Sequence, residues 1–131
     1  MDDDSATDYN DVKERLLMEG LRDWLYWSWI HGRFQSDHHT PKRPVAEAQQ
    51  LTMRMIRELV DEGLFVLGEP DKKASSGFEP WDLPLDEVMA MIEHKYVTNF
   101  EDRWNWVTCA CSALTDKGKT LALRLYHADD T

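Results

Sequence analysis

Residues 45–69, VAEAQQLTMRMIRELVDEGLFVLGE, constrain the fold more than any other stretch, because the apolar rhythm changes character across one glycine. Before Gly63, Val45, Ala48, Thr52, Met55, Ile56, Leu59 and Val60 recur at the spacing of one helical face, and Glu47, Gln50, Arg54, Arg57, Glu58 and Asp61 take the other. After it, LFVLGE is a short β-prone run that reads as a strand. Gly63 sits where a helix ends in a left-handed residue. A helix feeding a strand through a tight cap implies that both bury their apolar sides in one core.

The flanking sequence extends that core. Residues 1–10 read as a disordered acidic N-terminus, and 11–127 as a single domain. Val12, Leu16, Leu21, Trp24, Leu25 and Ser28 predict one helix from Asp11 to about Trp29, with Gly32 as its stop. Residues 32–44 read as a connector with two prolines, Pro41 and Pro44. PDKKASSG (70–77) is a turn or flexible tip, and FEPW (78–81) a short returning strand. Leu85, Val88, Ile92 and Tyr96 predict a further helix, with Asp86 and Glu87 suited to its first turn. The stretch from Trp104 to Leu114 holds no charge and reads as a strand buried on both faces. Thr115 then caps a final helix with Leu121, Ala122 and Leu125 turned inward. The fold class is α+β: two N-terminal helices, a small antiparallel sheet, an extra helix between strands, and a C-terminal helix.

RELVDEGLFVLGE followed by a strand closing on LTDKG resembles the winged-helix family, in which an amphipathic helix leads into a hairpin and the returning strand often ends in a Leu-Thr-x-Lys-Gly turn. The likeness covers about residues 45–122. Residues 69–103 depart from it, being much longer than a plain wing and carrying their own helix. The resemblance implies a winged-helix-like domain extended at the wing, with helix 45–62 in the place of the DNA-reading helix. The whole chain also resembles a little-characterised group of short acidic actinobacterial proteins, through RLLMEGLRDWL, IRELVDEGLFVLGE, WDLPLDEVM and YVTNFEDRWNWV. That likeness implies no activity.

Charge narrows the function classes. Acids outnumber bases 25 to 15, a net charge of −10, which repels phosphate and membrane surfaces at long range. Residues 1–23 carry eight acids and three bases, and residues 79–102 seven acids and one base. Between them, 31–43 holds Arg33, Lys42 and Arg43 with His31, His38 and His39. The N-terminus lacks the basic and apolar regions of a signal peptide, and no run approaches 18 apolar residues, so the expectation is a cytoplasmic protein without a membrane span.

Two cysteines, Cys109 and Cys111, form a Cys-x-Cys. On a strand their Cα atoms would lie about 6.5–7 Å apart, at the edge of disulfide geometry. A structural zinc site takes four ligands, commonly from paired Cys-x2-Cys turns, and no second pair exists here. Adjacent histidines such as His38 and His39 can bind a metal but are more often solvated. The carboxylates at 86–87 and 101–102 lack the nucleophile orders, glycine-rich loops or HExxH of enzymes. The expectation is therefore no metal, no cofactor and no catalytic residue.

Two functional readings remain. As a protein-interaction module, immunity- or antitoxin-like, the chain would hold a basic partner through Trp24, Trp27, Trp29, Asp86, Glu87, Glu101 and Asp102. On one helix Trp24, Tyr26, Trp27 and Trp29 would stand at about 0°, 200°, 300° and 140°, more sides than one small domain can bury, so that a partner or a second copy would cover some of them. As a DNA-binding regulator, the alternative, it would use Gln49, Gln50, Arg54 and Arg57 on helix 45–62, and Lys72 and Lys73 at the wing tip.

Overall fold

A computed structural model describes residues 2–37, 40–41, 43–70, 73, 77–102, 106 and 110–129. In chain order these form α1 (Asp2–Gly20), β1 (Leu25–Tyr26), α2 (Trp27–Gln35), β2 (Ser36–Asp37), β3 (Thr40–Pro41), α3 (Val45–Asp61), β4 (Phe65–Pro70), β5 (Phe78–Pro80), α4 (Leu85–Ile92), a π-helical segment (Glu93–Thr98), β6 (Cys111–Leu114) and α5 (Asp116–Asp129). The architecture is mixed α+β. Its main sheet is antiparallel with strand order β1-β6-β4-β5, and β2 and β3 form a separate small ribbon.

Helix α3 is bounded by the residues that sequence alone marks. Pro44 precedes its first turn in extended backbone. At the other end Gly63, at φ 75°, carries the left-handed turn. The N–H of Leu64 donates to the Leu59 carbonyl and that of Gly63 to Val60, both at 2.9 Å, the bond pair that closes a Schellman motif. The chain leaves this cap directly into β4. Four register pairs then join β4 to β6, from Phe65↔Leu114 to Gly68↔Cys111.

Register also assigns the sheet faces, because directly paired residues project to the same side. Leu25, Phe65, Leu67, Ser112 and Leu114 share one face. There Leu25, Phe65 and Ser112 meet Ile30 of α2 and Ile56 and Leu59 of α3. Tyr9, Val12, Leu16 and Leu17 of α1 and Ala122 of α5 complete the core. The opposite face carries Tyr26, Val66, Phe78, Cys111 and Ala113.

At the start of α5 the LTDKG turn ties three elements together. Thr115 donates its N–H to the Leu64 carbonyl at 3.0 Å and its hydroxyl to the Gly63 carbonyl at 2.6 Å, and accepts the Gly118 N–H at 3.0 Å. Lys117 Nζ donates to the Glu62 carbonyl at 2.8 Å. Gly118 is buried against this junction, where a Cβ would overlap the Leu64 carbonyl oxygen and stand 2.9 Å from Leu114 Cδ2.

Four sequence expectations are corrected. The helix assigned to 11–29 is two helices: α1 ends at Gly20, turn bonds from Leu21 and Arg22 to Met18 and Glu19 follow, and Leu25 and Tyr26 become a strand by pairing with Ser112 and Cys111. Helix α1 begins at Asp2, within the stretch assigned to an acidic tail. The connector of 32–44 gives up its first residues to α2, which ends at Gln35. Of the strand expected over 104–114, the described residues bear out Cys111–Leu114, while Trp106 is helical and Ala110 lies outside the strand; 104, 105 and 107–109 are not among the described residues.

Candidate interaction surfaces and the insert that shapes them

Between β4 and β6 the chain makes an excursion through β5, α4 and the π segment. Pro84 opens α4, and Val88, Met89 and Ile92 bury its inner face. Tyr96, on the π segment, continues that face into the core. The outer side is acidic. Glu79, Asp82, Asp86, Glu87, Glu93, Glu101 and Asp102 are all exposed, with Lys95 the one base within residues 79–102. Leu83 and Val97 are exposed among them.

This insert docks on the helix that would read DNA. Asp86 Oδ1 accepts Arg57 Nη1 at 2.9 Å, so a carboxylate named for one function neutralises an arginine named for the other. Gln49, expected at base edges, is 8% exposed and donates from Nε2 to the Tyr96 carbonyl at 3.1 Å. Buried in that bond, it has no access to a ligand. Arg54 lies over the Tyr9 ring at 4.6 Å, and the Tyr9 hydroxyl donates to Glu58 Oε2 at 3.3 Å. Burial first, and then the Glu58 charge, push the Tyr9 hydroxyl up to about 12. Lys13 of α1 bridges Glu58 at 3.1 Å and Glu62 at 2.8 Å. Gln50 stays exposed on α3, and Lys73 is exposed at the turn. His38, His39, Lys42, Lys72, Trp104 and Cys109 lie outside the described residues.

A second surface lies on the sheet face away from α3. Trp24 crosses that face to lie tilted against Phe78, ring centroids 5.5 Å apart, with Gly77 beside the edge of its indole. Arg22, Asp23 and Trp24 separate two clefts. One, about 340 Å³, continues past Leu25 and Tyr26 to Glu19, Trp29 and Arg33. The other, about 490 Å³, runs over Val66, Phe78, Ala113 and Leu114 to Lys119. Trp29 is 51% exposed and Tyr26 38%. Their rim is braced: Arg33 lies over the Trp29 ring at 4.9 Å and pairs with Glu19, which also accepts the Trp29 indole N–H. Asp23 Oδ1 accepts the Trp24 backbone N–H at 2.7 Å and fixes the turn.

Trp27 does not belong to this surface. It is 1% exposed, edge-on to Tyr96 at 6.1 Å, so its expected place among partner-binding residues is corrected to the core. The break of the predicted helix explains the difference, because Trp27 begins a new helix with a new orientation. Glu19, Arg22, Asp23 and Arg33, which build the rim, escaped sequence reasoning. The spacing of Glu19, Trp29 and Arg33 signals their meeting only once the turn at 21–24 is known.

Beneath the cleft, Cys111 is fully buried. Burial and then the nearby Asp23 charge push its thiol up to about 11, the environment of an inert thiol rather than a nucleophile. Among the described residues no group of three or more His, Cys, Asp or Glu side chains could hold a metal ion. Among them, too, no helix is long and apolar enough to cross a membrane. No protein-family model, curated protein or solved structure matches the chain.

Proposed function

We propose that the protein is a non-catalytic interaction module that holds a basic protein partner, in the manner of an immunity protein or antitoxin. The observation that carries this reading is the stretch 79–102 of the insert: seven exposed carboxylates against one lysine, placed so that Asp86 takes up Arg57. Such a face attracts cations and repels phosphate. The exposed Trp29 and Tyr26, held over a cleft by a braced rim, supply the large, low-entropy contact area that interfaces concentrate in aromatic residues. The partner would meet these surfaces through side chains rather than by adding a strand. One sheet edge is the two-residue β1, and the other, β5, ends in Pro80, which has no N–H to donate.

The second reading is a winged-helix regulator. In its favour, β1 and β4 flank β6 in the sheet, while α2 and α3 lie between β1 and β4 in the chain, the arrangement a winged-helix frame requires. In this view β4 and β6 bound the wing, and β5, α4 and the π segment extend it. Against DNA as the ligand stand the burial of Gln49 and the engagement of Arg54 and Arg57 by Tyr9 and Asp86. A winged-helix-like frame turned to protein recognition fits both sets of observations.

Two variant sets separate the readings. Asp86→Asn, Glu87→Gln, Glu101→Gln and Asp102→Asn together should weaken capture of a basic partner and leave DNA retention unchanged. Arg54→Ala with Arg57→Ala should do the reverse if the regulator reading holds. Indifference of every bound species to both sets would sink both readings.

A further inference from the structure

We propose that His31 and Tyr96 form an acid-sensitive latch that holds the acidic insert against α2 and α3. The proposal rests on reading that insert as the partner surface, and it adds a means of withdrawing it. His31 is 4% exposed, and both its ring nitrogens are engaged. Gln35 Oε1, an acceptor only, faces Nε2 at 2.6 Å, so Nε2 carries the proton and Nδ1 accepts the Tyr96 hydroxyl. Of the polar contacts described from the insert to α2 and α3, three pass through Tyr96: its hydroxyl to His31, its hydroxyl to Thr52 of α3, and its carbonyl from Gln49. A fourth is the exposed Arg57–Asp86 pair.

The surroundings of His31 suit a neutral ring. Tyr96, Phe100 and Trp106 enclose it with centroids 5.4, 5.4 and 5.6 Å away. Phe100 and Trp106 stack at 4.7 Å, and the Trp106 indole N–H donates to the Phe100 carbonyl at 2.6 Å. The titratable group facing His31 from the π segment is Tyr96, whose hydroxyl burial raises well above its ordinary range. From α3 come Gln49 and Thr52, both uncharged. The cations on and beside its own helix have partners elsewhere, Arg33 with Glu19 and Arg43 with the Phe34 carbonyl and Glu47. No described carboxylate is bonded to the ring. Burial accordingly lowers the His31 pKa from its ordinary value, with the Gln35 bond working weakly the other way.

The sign follows from linkage. With the closed-state pKa depressed, the open state takes the proton first. The latch is at full strength above about pH 6.5 and weakens as pH falls toward the closed-state value, by up to about tenfold per pH unit. A protonated Nδ1 can only donate, so the Tyr96 hydroxyl must turn its proton away and accept instead, and the aromatic box offers the new buried charge no carboxylate. The π segment, already an irregular helix, is the element released.

The test is amide hydrogen exchange on the full chain between about pH 7.5 and 5, a window in which ordinary carboxylates keep their charge. The expected result is loss of protection at 93–100 below about pH 6.5 in the wild type and in the exposed-histidine control His94→Gln. His31→Gln should show no such pH dependence. The same profile in His31→Gln as in the wild type overturns the latch. Because that variant could fail to fold, imidazole nitrogen spectra of the wild type provide an independent check. His31 should stay neutral with the proton on Nε2 below the pH at which an ordinary histidine titrates, whereas titration near 6.5 with 93–100 still protected also overturns it. Both measurements use the protein alone, so a working latch without a basic partner would fail only the functional reading.

Discussion

The junction at Gly118 gives the sharpest prediction, because local propensity and tertiary packing point in opposite directions there. Replacing glycine by alanine inside a helix normally stabilises by about 1 kcal/mol. Gly118 lies in α5, yet a Cβ on it would overlap the Leu64 carbonyl oxygen and stand 3.0 Å from the Leu64 carbonyl carbon and 2.9 Å from Leu114 Cδ2. Backbone cannot swing aside as the end of a side chain can. Relief of the overlap must move α5 away from the cap of α3, at a cost of about 1–3 kcal/mol for overpacking. It also strains the Thr115–Leu64 backbone bond, worth about 1 kcal/mol. Set against the propensity gain, Gly118→Ala should destabilise by about 2 kcal/mol. For a chain of this length that is a Tm lower by roughly 6–10 °C. The matched control is Gly32→Ala in α2, where a Cβ would meet nothing within 4 Å and the propensity term should stand alone, raising stability by about 0.5–1 kcal/mol. Urea melts of both variants with unchanged m-values would measure the pair. Equal, stabilising effects at the two sites would refute the close approach of α5 to the α3–β4 cap.

Two further predictions test the surfaces. With Cys109→Ser removing the other thiol, Cys111 in the native protein at pH 8 should react with a thiol reagent on the order of 10² more slowly than in denaturant, since a thiol pushed up to about 11 holds little thiolate; equal rates would contradict its burial. Asp86→Asn should change stability by less than about 0.5 kcal/mol, the worth of an exposed pair, while raising retention on a DNA column at low salt by freeing Arg57. A loss above about 1.5 kcal/mol would mean that the pair anchors the insert more firmly than an exposed contact can.

Most of the frame was legible from residues that act locally. Gly63 marks a left-handed cap wherever the chain goes next, Asp86 and Glu87 mark the first turn of α4, and the Thr115–Gly118 turn keeps its bonding pattern in sequence. What failed depends on partners distant in the chain. Leu25 and Tyr26 carry a helical apolar rhythm and become strand only because Ser112 and Cys111 lie beside them. That pairing turns Trp27 inward and leaves Trp29 and Tyr26 outside, so the aromatic cluster was visible while its partition into core and surface was not. Gln49 illustrates the same limit on α3: its spacing places it at the border of the buried face, and the Tyr96 carbonyl, 47 positions on, draws it inside. The seven acids of 79–102 were countable from the sequence, but the Asp86–Arg57 contact exists only because α4 packs on α3.

The most direct test of the central claim is affinity capture from native lysate, split into nuclease-treated and untreated halves, with protein and nucleic acid both identified. The expected result is a stoichiometric basic protein that survives nuclease treatment and is lost when Asp86, Glu87, Glu101 and Asp102 are neutralised or Trp29 is replaced by alanine. Recovery instead of specific DNA fragments, abolished by nuclease and by Arg54→Ala with Arg57→Ala, would contradict it and make α3 the functional surface.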